Sequence, residues 1–223
     1  MNLRLALGDN ALILAQRLSE WAARSPTIEE DVALMNIALD LLGQARALLS
    51  SVGDEDQLAF LRDEREFTNC QLVELDGGDF GRTMARQLLF SAWQLLLWES
   101  LLDSDDEVVA GVAGKAVKEA AYHLDHARTW VVRLGDGTPE SHARVQAGLD
   151  HVWPYAHELF EGFEQLREPW EASVLDVLDE ATLTVPSTSW APTGGRRGIH
   201  TEGFGLLLAE MQHLHRQHPG ASW

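Results

Sequence analysis

The amino-acid sequence predicts an all-α protein, an antiparallel four-helix bundle with additional shorter helices. Apolar residues recur at three- and four-residue spacings along several long segments, and glycine, proline and acidic residues separate these segments. No segment shows the alternation of β-branched residues that a strand requires. A chain of 223 residues with 45% hydrophobic content can bury a substantial core without disulfides. We therefore expect one helical domain over residues 1–223.

The first two predicted helices form an antiparallel hairpin. In the first helix the helical apolar pattern runs over residues 7–22, and Pro26 prevents its continuation. The second begins at Thr27, which three acidic residues follow closely, and acidic residues favour a helix N-terminus because of the helix dipole. Its apolar pattern reaches Gly53.

The later segments predict a second hairpin and several shorter helices. The further predicted helices cover residues 57–74, 80–102, 107–134, 138–163, 170–182 and 201–216. The segment 80–102 is apolar on nearly every side, which indicates a central helix. The segment 57–74 carries a charged face that we expect in solvent. Residues 183–200 form a long loop rich in proline and glycine, and loops of this length are often functional.

Composition excludes several functions. The net charge of −18 repels phosphate backbones and anionic lipid, so neither nucleic-acid nor membrane binding is expected. Cys70 is the only cysteine, which rules out an intrachain disulfide and fits a reducing cytoplasm. The apolar N-terminal segment is too short to span a bilayer, and no secretion signal is recognisable.

A candidate metal site lies on the helix predicted for residues 107–134. Four-helix bundles can hold two iron ions when two helices each supply a Glu and two others each supply Glu-x-x-His. Glu119, His123 and His126 share one helical face, as such ligands must. However, Tyr122 occupies the position three residues after Glu119 where a histidine is required.

The other predicted helices complete this ligand set poorly. The facing helix offers Gln87, Ser91 and Gln94, which form hydrogen bonds but are poor iron ligands. On the second helix, Asp40 is followed three residues later by Gly43 where a histidine would be needed. No carboxylate of the first helix lies opposite Asp40.

Three interpretations of the cluster follow. The favoured one is a partly buried hydrogen-bonded group in which the three residues bond to the glutamines and serine of the facing helix and to Lys115. A mononuclear zinc or iron site built from Glu119, His123 and His126 is the second, and a complete di-iron centre is the third. Elsewhere, Arg196 and Arg197 form the one basic spot of the long loop, where they could bind phosphate or a partner's carboxylates, unless the loop is simply solvated.

Six sequence blocks, in order and over essentially the whole chain, carry a family resemblance. The blocks are LGDNALILAQRLSEW (7–21), EEDVALMNIALDLLGQARALL (29–49), FLRDEREFTN (60–69), GDFGRTMARQLLF (78–90), KEAAYHLDHARTWVVRLGDGTPESHARVQ (118–146) and HTEGFGLLLAEMQHLHRQHPGASW (200–223). They resemble the C-subunit (PaaC) family of bacterial phenylacetyl-CoA epoxidases, also called phenylacetate-CoA oxygenases. The resemblance implies a ferritin-like bundle in a multicomponent monooxygenase that uses O2 and NADPH to epoxidise phenylacetyl-CoA during aerobic phenylacetate degradation.

The resemblance also implies a division of labour. A related A-type protein carries the di-iron centre, a reductase carries flavin and iron–sulfur, and the C-type protein is the scaffold of the A-type protein, with no cofactor and no activity alone. The loop with Arg196 and Arg197 would then contact the A-type protein or the phosphates of CoA. The alternative function is a ferritin-like oxidase with its own metal site at Glu119, His123 and His126. In isolation, the chain could also form a homodimer through the surface that it offers to the A-type protein.

Overall fold

A computed structural model describes residues 2–221, so residues 1, 222 and 223 of the predicted domain lie outside the described part. The all-α prediction is confirmed, since the described residues form helices and no strands. The eight α-helices are α1 (Leu3–Ser19), α2 (Ile28–Leu49), α3 (Glu55–Phe60), α4 (Phe80–Ser100), α5 (Glu107–Gly135), α6 (Pro139–Val152), α7 (Arg167–Glu180) and α8 (Phe204–Gln217).

Two helical hairpins build the bundle, α1 with α2 and α4 with α5, and α2 packs against α5. Side-chain caps begin these helices: Thr27 accepts a hydrogen bond from the backbone N–H of Glu30, and Asp106 accepts from two backbone N–H groups of α5. Such caps satisfy backbone donors that have no partner inside the helix. Asp106 also pairs with Arg4, whose Nε lies 2.7 Å from Oδ2, so that the start of α1 is fixed to the start of α5.

Helix α4 is central, as its apolar sequence predicts. Its residues from Thr83 to Gln94 are all buried, because α5, α6 and α7 pack against it. Helix α6 crosses α4 at very short range where Gly148 faces Arg82. A Cβ atom on Gly148 would lie 2.5 Å from the Cα of Arg82, so only glycine permits this crossing.

The prediction of one helix over residues 57–74 is wrong. Helix α3 ends at Phe60, and two short 3-10 turns follow at Glu64–Glu66 and Gln71–Glu74. The chain between them is pinned to α1, because the backbone N–H of Thr68 donates to Asp9 and that of Cys70 donates to Asn10. Tertiary hydrogen bonds therefore replace those of a continuous helix.

The expectation that the charged face of residues 57–74 lies in solvent is also wrong in part. Arg62 is only 8% exposed, and its guanidinium forms two hydrogen bonds with the fully buried carboxylate of Asp9. Neighbouring Asp63, Glu64 and Arg65 are exposed, as expected.

The helix predicted for residues 138–163 is shorter in the structure. Helix α6 ends at Val152, and a 3-10 segment continues over Trp153–Phe160. Pro154 accounts for the change, since proline lacks the N–H that would continue the α-helical hydrogen bonds. Within the predicted loop 183–200, residues Gly195–Arg197 form a 3-10 turn.

Helix α2 is the one helix in the range 2–221 that is long and apolar enough to cross a bilayer by length and composition. Its inner face, which includes Leu34, Ile37 and Leu41, lies in the bundle core. Core helices of globular proteins commonly pass the same test. Its outer face nevertheless carries exposed apolar residues.

Candidate functional site

Glu119, His123 and His126 lie on the face of α5 that turns towards α2. Their side chains are only 11%, 1% and 9% exposed, respectively. The spacing of four and then three residues places them on one side of the helix, as the sequence predicted. The face is therefore buried in the contact between the two hairpins.

The two histidines bond to carboxylates of α2. Nε2 of His123 lies 3.2 Å from Oδ2 of Asp40, and Nε2 of His126 lies 2.7 Å from Oε2 of Glu30. Each imidazole can donate its N–H to the carboxylate that faces it. The pairs thus act as cross-links between α2 and α5.

The carboxylate of Glu119 has two partners of its own. Nε2 of Gln44 donates to Oε2 over 2.9 Å, and Nζ of Lys115 lies 2.8 Å from Oε1. The predicted contact with Lys115 is therefore present, whereas the amide of Gln44 belongs to α2 and was not predicted. Both oxygens of Glu119 are satisfied by the protein itself.

Burial controls the protonation of His123. The loss of water around the ring lowers its pKa below the ordinary value, and the hydrogen bond and negative charge of Asp40 oppose this effect only in part. His123 is thus neutral at pH 7. A neutral imidazole that donates to a carboxylate fits a structural hydrogen bond.

The polar side chains of α4 play a smaller part than the sequence suggested. Nε2 of Gln94 donates to Oε1 of Gln44 over 3.0 Å, so Gln94 reaches the cluster through α2. The hydroxyl of Ser91 donates to the backbone oxygen of Gln87 in its own helix, and Oε1 of Gln87 has no hydrogen-bond partner among the described residues. Over the same range, α4 forms none of the expected direct bonds to the cluster, because α2 supplies the facing acceptors and donors.

Two members of this network, Glu30 and Gln44, were not predicted from the sequence. Glu30 was interpreted only as an acidic residue that stabilises the start of α2, and Gln44 was given no role. In an antiparallel register, positions 40 and 44 of α2 lie opposite His123 and Glu119, which is a usable signal. However, no connecting loop joins α2 directly to α5, so the sequence alone does not fix that register.

These residues do not fit a di-iron centre. Two iron ions need about four inward carboxylates and two histidines at one height, contributed by four helices. Here α4 contributes amides and a hydroxyl, and the buried Asp9 of α1 is bonded to Arg62 and Thr68. Glu30 and Asp40 are ten residues apart on α2, about 15 Å along the helix. Within residues 2–221, no three His, Cys, Asp or Glu side chains gather closely enough to hold a metal ion.

A small cavity borders the cluster on one side. It has a volume of about 280 Å³ and opens between Gly43 of α2 and Gly111 of α5. Gln44, Lys115 and Glu119 form part of its wall. The missing side chain at Gly43, where a histidine ligand was sought, thus contributes to an open space.

The two loop arginines occupy different environments. Arg196 is only 8% exposed, and none of its three guanidinium nitrogens has a hydrogen-bond partner within residues 2–221. The side chain of Arg197 is 59% exposed and lies 3.5 Å from the carboxylate of Glu161. The hypothesis that both arginines are available to bind phosphate or a partner's carboxylates is therefore wrong for Arg196, which is packed inside the protein. Arg197 faces solvent.

A buried carboxylate fixes this loop. Glu158 is fully buried and accepts hydrogen bonds of 2.7 Å from the backbone N–H groups of Gln71, Gly194 and Gly195. Burial raises the pKa of Glu158, and the three backbone donors counteract part of that rise. The predicted solvated loop is thus anchored at its C-terminal end.

The whole chain is similar to proteins of phenylacetate metabolism. A family model described as "Phenylacetic acid catabolic protein" matches residues 1–223. The chain is 46% identical over 240 aligned positions to the C component of the 1,2-phenylacetyl-CoA epoxidase of Escherichia coli (strain K12). The match covers 98% of this chain and 97% of that protein.

Proposed function

Because the chain belongs to the family of phenylacetic acid catabolic proteins, we propose that it is the structural subunit of a multicomponent monooxygenase that epoxidises the ring of phenylacetyl-CoA. In this role the chain acts in the cytoplasm and has no cofactor of its own. It holds a related A-type subunit that carries the di-iron centre, and a reductase with flavin and iron–sulfur supplies the electrons.

The observation that supports a structural role is the pairing of the buried polar groups between α2 and α5. The carboxylates of Glu30, Asp40 and Glu119 each bond to a side chain of the opposite helix. Ligands of an active iron pair would instead point at a common centre. The network therefore serves to hold the hairpins together, and the chemistry is left to the partner.

Reconstitution of the enzyme tests this proposal. The A-type subunit and the reductase are assayed for phenylacetyl-CoA turnover with and without this chain, and the iron content of each purified component is measured. We expect turnover to require the chain and the iron to follow the A-type subunit. Full turnover without the chain would contradict the proposal.

The oxidase alternative makes a different prediction for the same preparation. It requires iron or another metal in stoichiometric amount in the isolated chain, and the loss of that metal in Glu119→Gln. The structural proposal instead expects the assembled complex to keep its turnover in Glu119→Gln, because the amide can still bond to Gln44. Asp125→Asn on the exposed side of α5 is the matched control.

Arg197 is our proposed contact for the A-type subunit or for a phosphate of CoA. It is supported by the exposed guanidinium at the end of the long loop. Arg197→Ala should either weaken the assembly with the A-type subunit or raise the KM for the CoA substrate. Arg128 is an exposed arginine paired with Glu180, and Arg128→Ala should change neither quantity. Unaltered assembly and turnover in Arg197→Ala and in the double variant with Arg196→Ala would remove this contact.

A further inference from the structure

Residues 194–201, here called the strap, cross the chain that follows α3 at very short range. A Cβ atom on Gly195 would lie 2.2 Å from the backbone oxygen of Asn69, and one on Gly198 would lie 2.3 Å from that of Arg65. Only glycine permits these two crossings. The strap leads into α8, so its position determines where the last helix begins.

The strap has two separate anchors. Glu158 holds its N-terminal end through the backbone N–H groups of Gly194 and Gly195. At the C-terminal end, the backbone N–H of Thr201 donates to Oε2 of Glu74 over 2.8 Å. The ring of the preceding residue, a histidine, contacts the same carboxylate.

Both ring nitrogens of His200 face hydrogen-bond acceptors. Nδ1 lies 2.5 Å from Oε1 of Glu74, and Nε2 lies 3.1 Å from the backbone oxygen of Phe67. A backbone oxygen cannot donate, and the carboxylate of Glu74 already accepts from N–H groups of Asn69 and Thr201. Each ring nitrogen must therefore carry a proton, which makes the buried His200 an imidazolium.

We propose that His200 is a pH-sensitive latch, whose second ring proton holds the strap and the start of α8 in place. A neutral imidazole has a single N–H group, so it can donate to Glu74 or to Phe67 but not to both. The other nitrogen then turns its lone pair towards an oxygen acceptor. Loss of the proton thus weakens the C-terminal anchor, and Phe204 of α8, whose ring lies 4.3 Å from the imidazole, loses its support. This inference does not depend on the proposed epoxidase function.

The negative groups around His200 favour its protonated form. Burial by itself lowers the pKa of His200, because a buried imidazolium loses its hydration. The hydrogen bond and charge of Glu74, the bond to Phe67 and the charge of Glu64 outweigh this effect. The pKa of His200 is therefore raised above its ordinary value.

Two cations of neighbouring elements contact the residues that bond to His200, and each has a carboxylate of its own. Arg17 of α1 is paired with Glu20, 2.7 Å away. Arg62, which lies over an aromatic ring next to the latch, is paired with the buried Asp9. Neither cation therefore brings an uncompensated positive charge that would expel the ring proton.

The latch should be closed in acid and open in alkali. The opened strap binds the ring proton with the ordinary histidine pKa of about 6.5, whereas the closed strap binds it more tightly. Opening should therefore be rarest below a pH of about 6.5 and become about tenfold more frequent for each pH unit above it. The increase should end once the pH exceeds the raised pKa of the closed form.

Heteronuclear NMR of the imidazole nitrogens measures the protonation in the purified full-length chain. We expect His200 to titrate above a pKa of about 6.5. In Glu74→Gln the pKa should fall, because the amide keeps an acceptor oxygen but has no charge. Glu202→Gln removes an exposed charge at the end of the strap and should change the pKa little. A ring of His200 that titrates at or below the ordinary value in the wild type would overturn the latch.

Limited proteolysis shows whether this proton controls the strap. Trypsin cleavage after Arg197 is measured from pH 6 to pH 9 and normalised at each pH to that of an unstructured arginine peptide. The rate should rise in total about tenfold for each unit by which the pKa measured by NMR exceeds 6.5. Cleavage after Arg128 of α5 reports unfolding of the bundle and should stay constant.

The pH profile also separates a latch from a merely structural contact. In His200→Phe both hydrogen bonds are absent, so cleavage after Arg197 should be fast and independent of pH over the same range. The wild-type profile needs no variant to be interpreted. A wild-type rate that stays constant while the ring of His200 loses its proton would overturn the proposal.

Discussion

His123 and Asp40 connect the two helical hairpins, with Nε2 of the imidazole 3.2 Å from Oδ2 of the carboxylate. The two residues are 83 positions apart in the sequence. The imidazole is buried while the side chain of Asp40 is 34% exposed. The bond thus lies at the edge of the core, where a change in the charge of either group affects the contact between α2 and α5.

The pH dependence of stability should reflect this pair. Burial lowers the pKa of His123, so the unfolded chain binds a proton more readily than the folded one. The contribution of neutral His123 to the free energy of unfolding is therefore fully present above a pH of about 6.5. This contribution decreases as the pH falls through the lowered pKa of the folded protein. In Asp40→Asn the opposing charge is lost, so the pKa of His123 should fall further and the acid loss of stability should increase.

Histidine NMR titration and denaturant unfolding at several pH values check this expectation. At neutral pH, Asp40→Asn should cost about 1 kcal/mol, because a hydrogen bond to a partly exposed charged group is weakened. Asp125→Asn on the exposed face of α5 is the control. A rise in the pKa of His123 in Asp40→Asn would show that the carboxylate does not stabilise the protonated ring.

The buried pair of Asp9 and Arg62 gives a prediction for stability. Asp9 also accepts hydrogen bonds from the backbone and hydroxyl of Thr68, over 2.8 and 2.9 Å. Arg62→Met leaves a fully buried carboxylate without its counter-charge, which typically costs about 3–5 kcal/mol. Denaturant unfolding should show this loss, whereas Arg65→Met on the exposed side should be nearly neutral.

A double-mutant cycle separates the pair from other effects. Asp9→Asn combined with Arg62→Met removes both charges, so the double variant should be less destabilised than the sum of the two single variants. Strict additivity would mean that the two charges do not interact in the folded protein.

The single cysteine should be inert in the folded protein. Burial, followed by the negative charge of Glu158, raises the pKa of Cys70 to about 12. Because the thiolate is the reactive form, a thiol reagent at pH 8 should react with it only after unfolding. Fast labelling of the native protein would contradict the buried position of Cys70.

Local periodicity was sufficient to predict the long helices, whereas long-range bonds were not predictable. The apolar segment that forms α4 indicated a buried central helix because its pattern is complete within the segment itself. The helix predicted over residues 57–74 is wrong for the opposite reason. Asp9 and Asn10 of α1 accept hydrogen bonds from backbone N–H groups about 60 positions away. Likewise, the partner of His126 is Glu30, and no local pattern relates the two.

The anchoring of the long loop by Glu158 yields the last prediction. Glu158→Ala would leave the N–H groups of Gln71, Gly194 and Gly195 without their acceptor, at a cost of about 1–3 kcal/mol for each group that stays buried. The loop should detach rather than remain in place with this cost. Trypsin would then cleave after Arg196 and Arg197 much faster than in the wild type.

Two variants show whether the carboxylate itself is responsible. Glu158→Gln retains one acceptor oxygen, which can serve Gly194 and Gly195, but its amide N–H₂ group then faces the N–H of Gln71. We therefore expect an intermediate cleavage rate for Glu158→Gln. Glu161→Ala removes only the exposed contact with Arg197 and should leave the rate close to that of the wild type. Equal rates in Glu158→Ala and the wild type would show that other contacts hold the loop.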